Sequence, residues 1–186
     1  MKKYYTMNIA GHERNLQLFK IGDNLQIAAF ILFGDAEITQ ASATKLLELA
    51  PDYDILFTAE CKSIPLIYEM ARQRGDKNYI VARKAPKLYM QNLIEADVTS
   101  ITTANPQHLC IGENEAEVIR GKRVLIVDDV ISTGESLLAM ESLINQAGGT
   151  IVGKMAILAE GDASKREDIT FLEPLPLFDI DGNPLK

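Results

Sequence analysis

An α/β fold with a central, mainly parallel sheet flanked by helices is what this 186-residue sequence predicts, on three observations. Short apolar, β-branched runs alternate with helical patterns from Asp35 onward, which is the pattern of strands joined by crossover helices. Turn and cap residues punctuate those segments where each must stop. The run Val124-Leu-Ile-Val127 is continuously apolar, as a strand buried on both faces requires.

Taken in order, residues 3–33 read as a layer of short strands. Tyr4 to Ile9 alternates roughly, and Gly22-Asp23-Asn24 marks a turn between Leu16–Phe19 and Leu25–Phe33. Asp35 to Ala50 places Ile38, Ala41, Leu46, Leu47 and Leu49 at helical spacing, and Pro51 closes the segment. Tyr53–Thr58 is a strand, Pro65–Arg74 a helix stopped by Gly75, and Asn78–Ala82 the next strand. An irregular segment follows, in which Val98–Thr103 and Gln107–Ile111 can pair as a hairpin around Ala104-Asn-Pro-Gln107. The strand at Val124, a helix over Glu135–Ala147 ended by Gly148-Gly149, and a strand over Thr150–Leu158 complete the regular part. Phe171–Asp179 is apolar and rich in proline.

Composition narrows the function classes. A hydrophobic content of 47% suffices for one sizeable core, and the length fits a single domain over residues 1–186. The formal charge of −7 and the absence of a Lys/Arg block argue against nucleic-acid binding. No apolar run is long enough for a bilayer, and the Met-Lys-Lys start lacks a signal-peptide core, so no membrane partner is expected. Cys61 and Cys110 lie far apart without metal-ligand spacing, and two histidines make a zinc site unpromising. A reduced, cytoplasmic setting is the expectation.

The chemistry concentrates in Val124-Leu-Ile-Val-Asp-Asp-Val-Ile-Ser-Thr-Gly-Glu-Ser136. A buried strand carries Asp128 and Asp129 at its tip, and a Ser/Thr/Gly turn then opens onto a helix. Unpaired N–H groups and the positive end of the helix dipole suit a phosphate there. Ser132, Thr133 and Ser136 can donate hydroxyls to the same anion, and Gly134 carries no Cβ to keep the backbone away. Two acids at a strand end also fit an ordinary cap or a solvated tip; the hydroxyl–glycine turn at fixed spacing favours a sugar phosphate, with acids for ribose hydroxyls or Mg²⁺.

This stretch resembles the phosphoribosyl-pyrophosphate (PRPP) motif of the type I phosphoribosyltransferases. The resemblance covers most of the chain, strongest over 54–160. It implies the type I fold, with a core of about residues 36–160 and a hood from about 1–35 and 161–186. It assigns Asp128 and Asp129 to catalysis and, directly or indirectly, to Mg²⁺, and Ile131, Ser132, Thr133, Gly134, Glu135 and Ser136 to the 5′-phosphate. The strand tip at Ala59, Glu60, Cys61 and Lys62 matches the family's pyrophosphate loop, except that Ser63 stands where glycine is usual. Without a histidine nearby in sequence, Cys61 reads as a packing residue. Arg83, Lys84 and Lys87 match the cationic stretch of purine members, placed to neutralise the departing pyrophosphate.

In the purine branch, aromatic residues of the hood sandwich the base, and Phe30, Phe33 and Phe178 are the candidates. The hairpin resembles xanthine enzymes, yet Ala29–Phe33 lacks the polar amide of xanthine-specific relatives. The expectation is therefore transfer from PRPP to adenine, giving AMP and pyrophosphate, by a homodimer. A xanthine or guanine/hypoxanthine enzyme is the alternative. A non-catalytic PRPP-sensing regulator is disfavoured because neither a DNA-binding domain nor a basic face is evident.

Overall fold

The computed structural model describes residues 2–98 and 107–185. Its N-terminal layer is an antiparallel sheet of β1 (Tyr4–Ile9), β2 (His12–Lys20) and β3 (Gln26–Ala29). Alternation is visible in β1 and β2, whose exposed residues intersperse with those that face the core. The third strand stops at Ala29, short of the Phe33 that the apolar run suggests. Beyond it the backbone turns away from the ladder, and Leu32 accepts from the Asp35 N–H at 3.2 Å to start the next helix.

That helix, α1 (Ala36–Leu49), is capped by Asp35, whose side chain accepts from the Ile38 N–H. Then come β4 (Ile55–Ala59), α2 (Ile64–Arg74) and β5 (Ile80–Ala82). The hairpin pairs β6 (Ile94–Val98) with β7 (Gln107–Ile111). Its first strand therefore precedes the expected Val98–Thr103, and residues 99–106 lie outside the described ones. A short helix that periodicity did not show, α3 (Glu113–Ile119), leads into β8 (Arg123–Ile131), α4 (Glu135–Gln146) and β9 (Thr150–Glu160). A 3-10 turn over Gly161–Lys165 connects to β10 (Thr170–Leu175), a strand within the Pro-rich tail.

The main sheet has the order β10-β9-β8-β4-β5, and every neighbouring pair is parallel. It separates two cores because its residues alternate between faces. Phe57 and Ile126 join α3, α4 and the hairpin on one side. Leu56, Leu125 and Val127 join α1, α2 and the N-terminal layer on the other. Both sets are fully buried, and each such side chain contributes about 1.5–3 kcal/mol relative to exposure. Two buried faces explain why β4 and β8 read as unbroken apolar runs. The ends of β4, β5, β8 and β9 consequently open on one edge, where the sequence places its polar residues.

Candidate active site

Strand β8 ends in Asp128 and Asp129, of which only 7% and 3% is exposed. Asp128 Oδ1 accepts the Asp129 N–H at 2.8 Å, so the pair is held by the backbone itself. Burial, followed by the neighbouring Asp129 charge, raises the Asp128 pKa above the usual carboxylate range. Asp129 Oδ2 is buried without a hydrogen bond of good geometry, and meets the Lys62 ammonium at 3.1 Å. Lys62 also donates to the Phe30 carbonyl at 2.9 Å, tying the N-terminal layer to the acid pair.

Lys62 is aimed by the turn from β4 into α2. Ser63 adopts φ −75 and ψ −9, ordinary right-handed values, so replacing the usual glycine introduces no backbone strain. Its buried hydroxyl lies 2.6 Å from Thr58 Oγ1 and 2.7 Å from Cys61 Sγ. The Cys61 thiol lies 3.5 Å from Asp128 Oδ1, and burial together with the Asp128 charge pushes its pKa up to about 12. A thiol held protonated in this way is a poor nucleophile, in line with the packing role read from sequence.

The third strand end supplies cations. Arg83 pairs with Cys110 through both backbone groups, joining the tip of β5 to the hairpin. Its guanidinium reaches Glu60 at 3.2 Å, and Glu60 also accepts the Lys84 N–H at 3.1 Å. That N–H, then the Arg83 and Lys87 charges, lowers the Glu60 pKa, so Glu60 serves as an ionised tether rather than a poised base. The structure thus brings Glu60, Cys61, Lys62, Arg83, Lys84 and Lys87 to the acid pair's side of the sheet, while Ala59 packs in the core.

Two adjoining clefts result. One of about 80 Å³ is lined by Asp128 and the loop from Val130 through Leu137. There Ser132 Oγ accepts the Thr133 N–H, Gly134 takes φ +84, and Glu135 begins α4. A left-handed glycine at a helix N-terminus is a geometry in which backbone amides can form a nest for an anion. Ile131 contributes backbone only, its side chain being 2% exposed in the core. The other cleft, about 220 Å³, is lined by Ala59, Cys61, Lys62, Lys84, Leu109 and Asp129, and shares Asp128, Val130 and Ser136 with the first. An anion nest that meets, at Asp128, a cleft carrying two lysines and two carboxylates suits a sugar bearing phosphates at opposite ends.

The phosphoribosyl transferase domain family matches residues 36–178. This chain belongs to the type I phosphoribosyltransferases, in the purine branch. Over 176 residues it is 30% identical to a hypoxanthine/guanine phosphoribosyltransferase of Methanococcus voltae, covering 91% of this chain and 84% of that one. It is likewise 30% identical to an adenine phosphoribosyltransferase of Thermotoga petrophila, over 80% of this chain and 82% of the relative. In structure it resembles the adenine phosphoribosyltransferase of Thermoanaerobacter pseudethanolicus, with TM-score 0.68 and 17% identity over 86% and 95% of the two chains.

Two of the three aromatic candidates are core residues. Phe178 is fully buried against Tyr5, with ring centroids 4.9 Å apart, and its backbone pairs with Gln26. Phe30 is 4% exposed and offers the site its carbonyl rather than its ring. Neither ring has a face left for a base. Phe33, at 57% exposure, keeps one.

Phosphoribosyltransferases generally use Mg²⁺ with PRPP. Cys61, Asp128 and Asp129 offer ligand atoms within 4.8 Å of one another. The donors fit in part: the carboxylates suit a hard cation, whereas a protonated thiol does not. Asp128 and Asp129 would hold the ion together with substrate oxygens, and Cys61 would stand by. No helix among the described residues is long and apolar enough to cross a membrane.

Sequence reading missed one group beside this site. Glu141, Lys154, Asp168 and Arg166 form a chain of ion pairs at 2.8, 2.7 and 2.8 Å that ends at Gly134. Its members come from α4, β9 and the segment before β10, so no local motif reveals them. Lys154, a lone cation within the apolar run of β9, was the available clue.

Proposed function

We propose that this chain transfers the phosphoribosyl group of PRPP to adenine, giving AMP and pyrophosphate. The supporting observation is the pair of clefts meeting at Asp128. The loop at 131–136 takes the 5′-phosphate, and Lys62, Arg83, Lys84 and Lys87 face the pyrophosphate. Asp128 and Asp129 accept the ribose hydroxyls and, with Mg²⁺ when bound, balance the charges that change during transfer. The C1′–oxygen bond to pyrophosphate breaks, C1′ bonds to N9, and the N9 proton departs. Catalysis here is positioning and electrostatic stabilisation of a cationic sugar centre, with water kept out by the hood.

The base lies between Phe33 and backbone groups of the hood, formed by residues 1–35 and 161–186 over a core of 36–160 in a single domain. Adenine presents an amine donor at C6, whereas the 6-oxopurines present an acceptor. An apolar wall over Ala29–Phe33 with a carbonyl facing C6 selects the amine, because a mismatched polar group would be buried unpaired. Adenine enzymes among the structural neighbours favour this reading. The Methanococcus relative favours a second one, a hypoxanthine/guanine enzyme. Two free cysteines fit a reduced, cytoplasmic protein.

A panel of purines with PRPP and Mg²⁺, followed by pyrophosphate release, tests the assignment. Adenine should exceed every 6-oxopurine by at least ~10-fold in kcat/KM, about one hydrogen bond of discrimination. Preference for hypoxanthine, guanine or xanthine would overturn the base and leave the reaction class standing.

A further inference from the structure

Arg166 touches the phosphate loop, although it lies some thirty residues after it in sequence. A Cβ placed on Gly134 would sit 2.6 Å from Arg166 Nη1, so the guanidinium rests directly on the glycine at the head of α4. Its other nitrogens are committed: Nε and Nη2 donate to the two oxygens of Asp168 at 2.9 and 2.8 Å. Asp168 is fixed in turn by Lys154, and Lys154 by Glu141 in the second turn of α4. The chain of charges therefore leaves α4, crosses β9 and returns to the first residue before the same helix.

Such an arrangement is costly for a mere surface ion pair, since Lys154 is only 19% exposed and Arg166 31%. A bidentate pair fixes a guanidinium in direction, which a lone exposed pair does not. The direction here is toward Gly134, whose left-handed φ of +84 the anion nest requires. No lysine or arginine occurs between Ile131 and Leu137, so the nest has only amides, hydroxyls and the helix dipole of its own for a doubly charged phosphate.

We propose that Arg166 is a positioning residue for the 5′-phosphate subsite. Locked by Asp168, it holds the Ser132–Ser136 loop in its left-handed turn and sets a fixed positive charge against the wall of the anion seat. The inference rests on the reading of that loop as the 5′-phosphate cradle, and extends it to a residue outside the motif.

Calorimetric titration with ribose 5-phosphate, with inorganic pyrophosphate as the control for the neighbouring cleft, tests it in the full chain. Arg166→Met keeps the aliphatic stem and removes the charge. It should weaken ribose 5-phosphate binding and raise KM for PRPP by about tenfold, the scale of one charge-assisted contact. Pyrophosphate binding and KM for the base should stay within about twofold, and Arg166→Lys should recover part of the loss through its retained charge. If Arg166→Met folds poorly, Asp168→Asn releases the same guanidinium and should give the same split. Gly134→Ala and Arg166→Ala should also be less than additive, because removing the guanidinium relieves the 2.6 Å overlap.

Equal losses for ribose 5-phosphate and pyrophosphate would reduce Arg166 to general structural support and overturn the proposal. So would unchanged ribose 5-phosphate binding in the variants while the wild type binds it. A wild type that fails to bind ribose 5-phosphate would overturn the cradle reading together with this one.

Discussion

Asp128 joins function and instability in one side chain. Burial and the Asp129 charge raise its folded-state pKa above the unfolded value of about 3.9. Between those two values the folded chain holds more protons than the unfolded one, so stability falls as pH rises through the window. Asp128→Asn should therefore cut turnover by at least ~10²-fold while making the ligand-free protein more stable at pH 8. For a chain of this size each ~1 kcal/mol gained raises Tm by roughly 2–4 °C. The gain should shrink as pH drops toward the unfolded value of about 3.9, and below it the carboxyl is protonated in both states. Melting curves at the two pH values check this, and a lower Tm for the variant at pH 8 would refute it. The acids were legible because they sit side by side at the end of an apolar run. The link from Asp129 through Lys62 to the Phe30 carbonyl was not, because it joins three distant segments.

Among the elements, α1 shows how capping and tertiary charge combine. Asp35 accepts the Ile38 N–H at 3.1 Å and takes Arg14 Nε and Nη2 at 2.7 and 3.0 Å. The Arg14 pairing lowers the Asp35 pKa. A lowered pKa contributes stability that is present above the unfolded value and lost as pH falls through the folded one. Asp35→Ala should cost about 1–2 kcal/mol at pH 7, mostly the cap, since the ion pair is partly solvated. The cost should fade in acid, as chemical denaturation at pH 7 and pH 3 would show. Helices such as this one announce both ends: Asp35 opens it and Pro51 closes it. The Pro-containing β10 gave no such signal, and a ladder with proline is tolerated because this strand is an edge. Helix α3 has seven residues, too few for a period to show. The hairpin's first strand lies four residues earlier than expected, and the residues that join it to β7 lie outside the described ones.

At the scale of the molecule, the parallel sheet brings its polar strand ends to one edge, and the N-terminal layer packs against the tail beside it. The parallel sheet was legible because strand and helix patterns alternate from Asp35 onward. The burial of Phe30 and Phe178 was not, because it depends on how the two ends of the chain meet. Exposed Ile31 and Tyr68, each more than half open, leave apolar surface that fits the expected homodimer. Sedimentation equilibrium at micromolar concentration should then give twice the chain mass, and full activity from a stable monomer would contradict it.

The meeting of Gln26 and Phe178 carries a consequence for how the protein comes into being. Their backbones exchange two hydrogen bonds, each 2.9 Å, across nearly the whole length of the chain. During synthesis the N-terminal strands emerge first, yet the partner that completes their packing emerges among the last residues. Closing so long a loop is slow compared with forming α1 or α2. Four strands of the parallel sheet, β9-β8-β4-β5, can pair before the tail is made, whereas β10 and the packing of the N-terminal layer wait for it. A nascent chain therefore acquires most of its sheet before its N-terminal layer is locked in place.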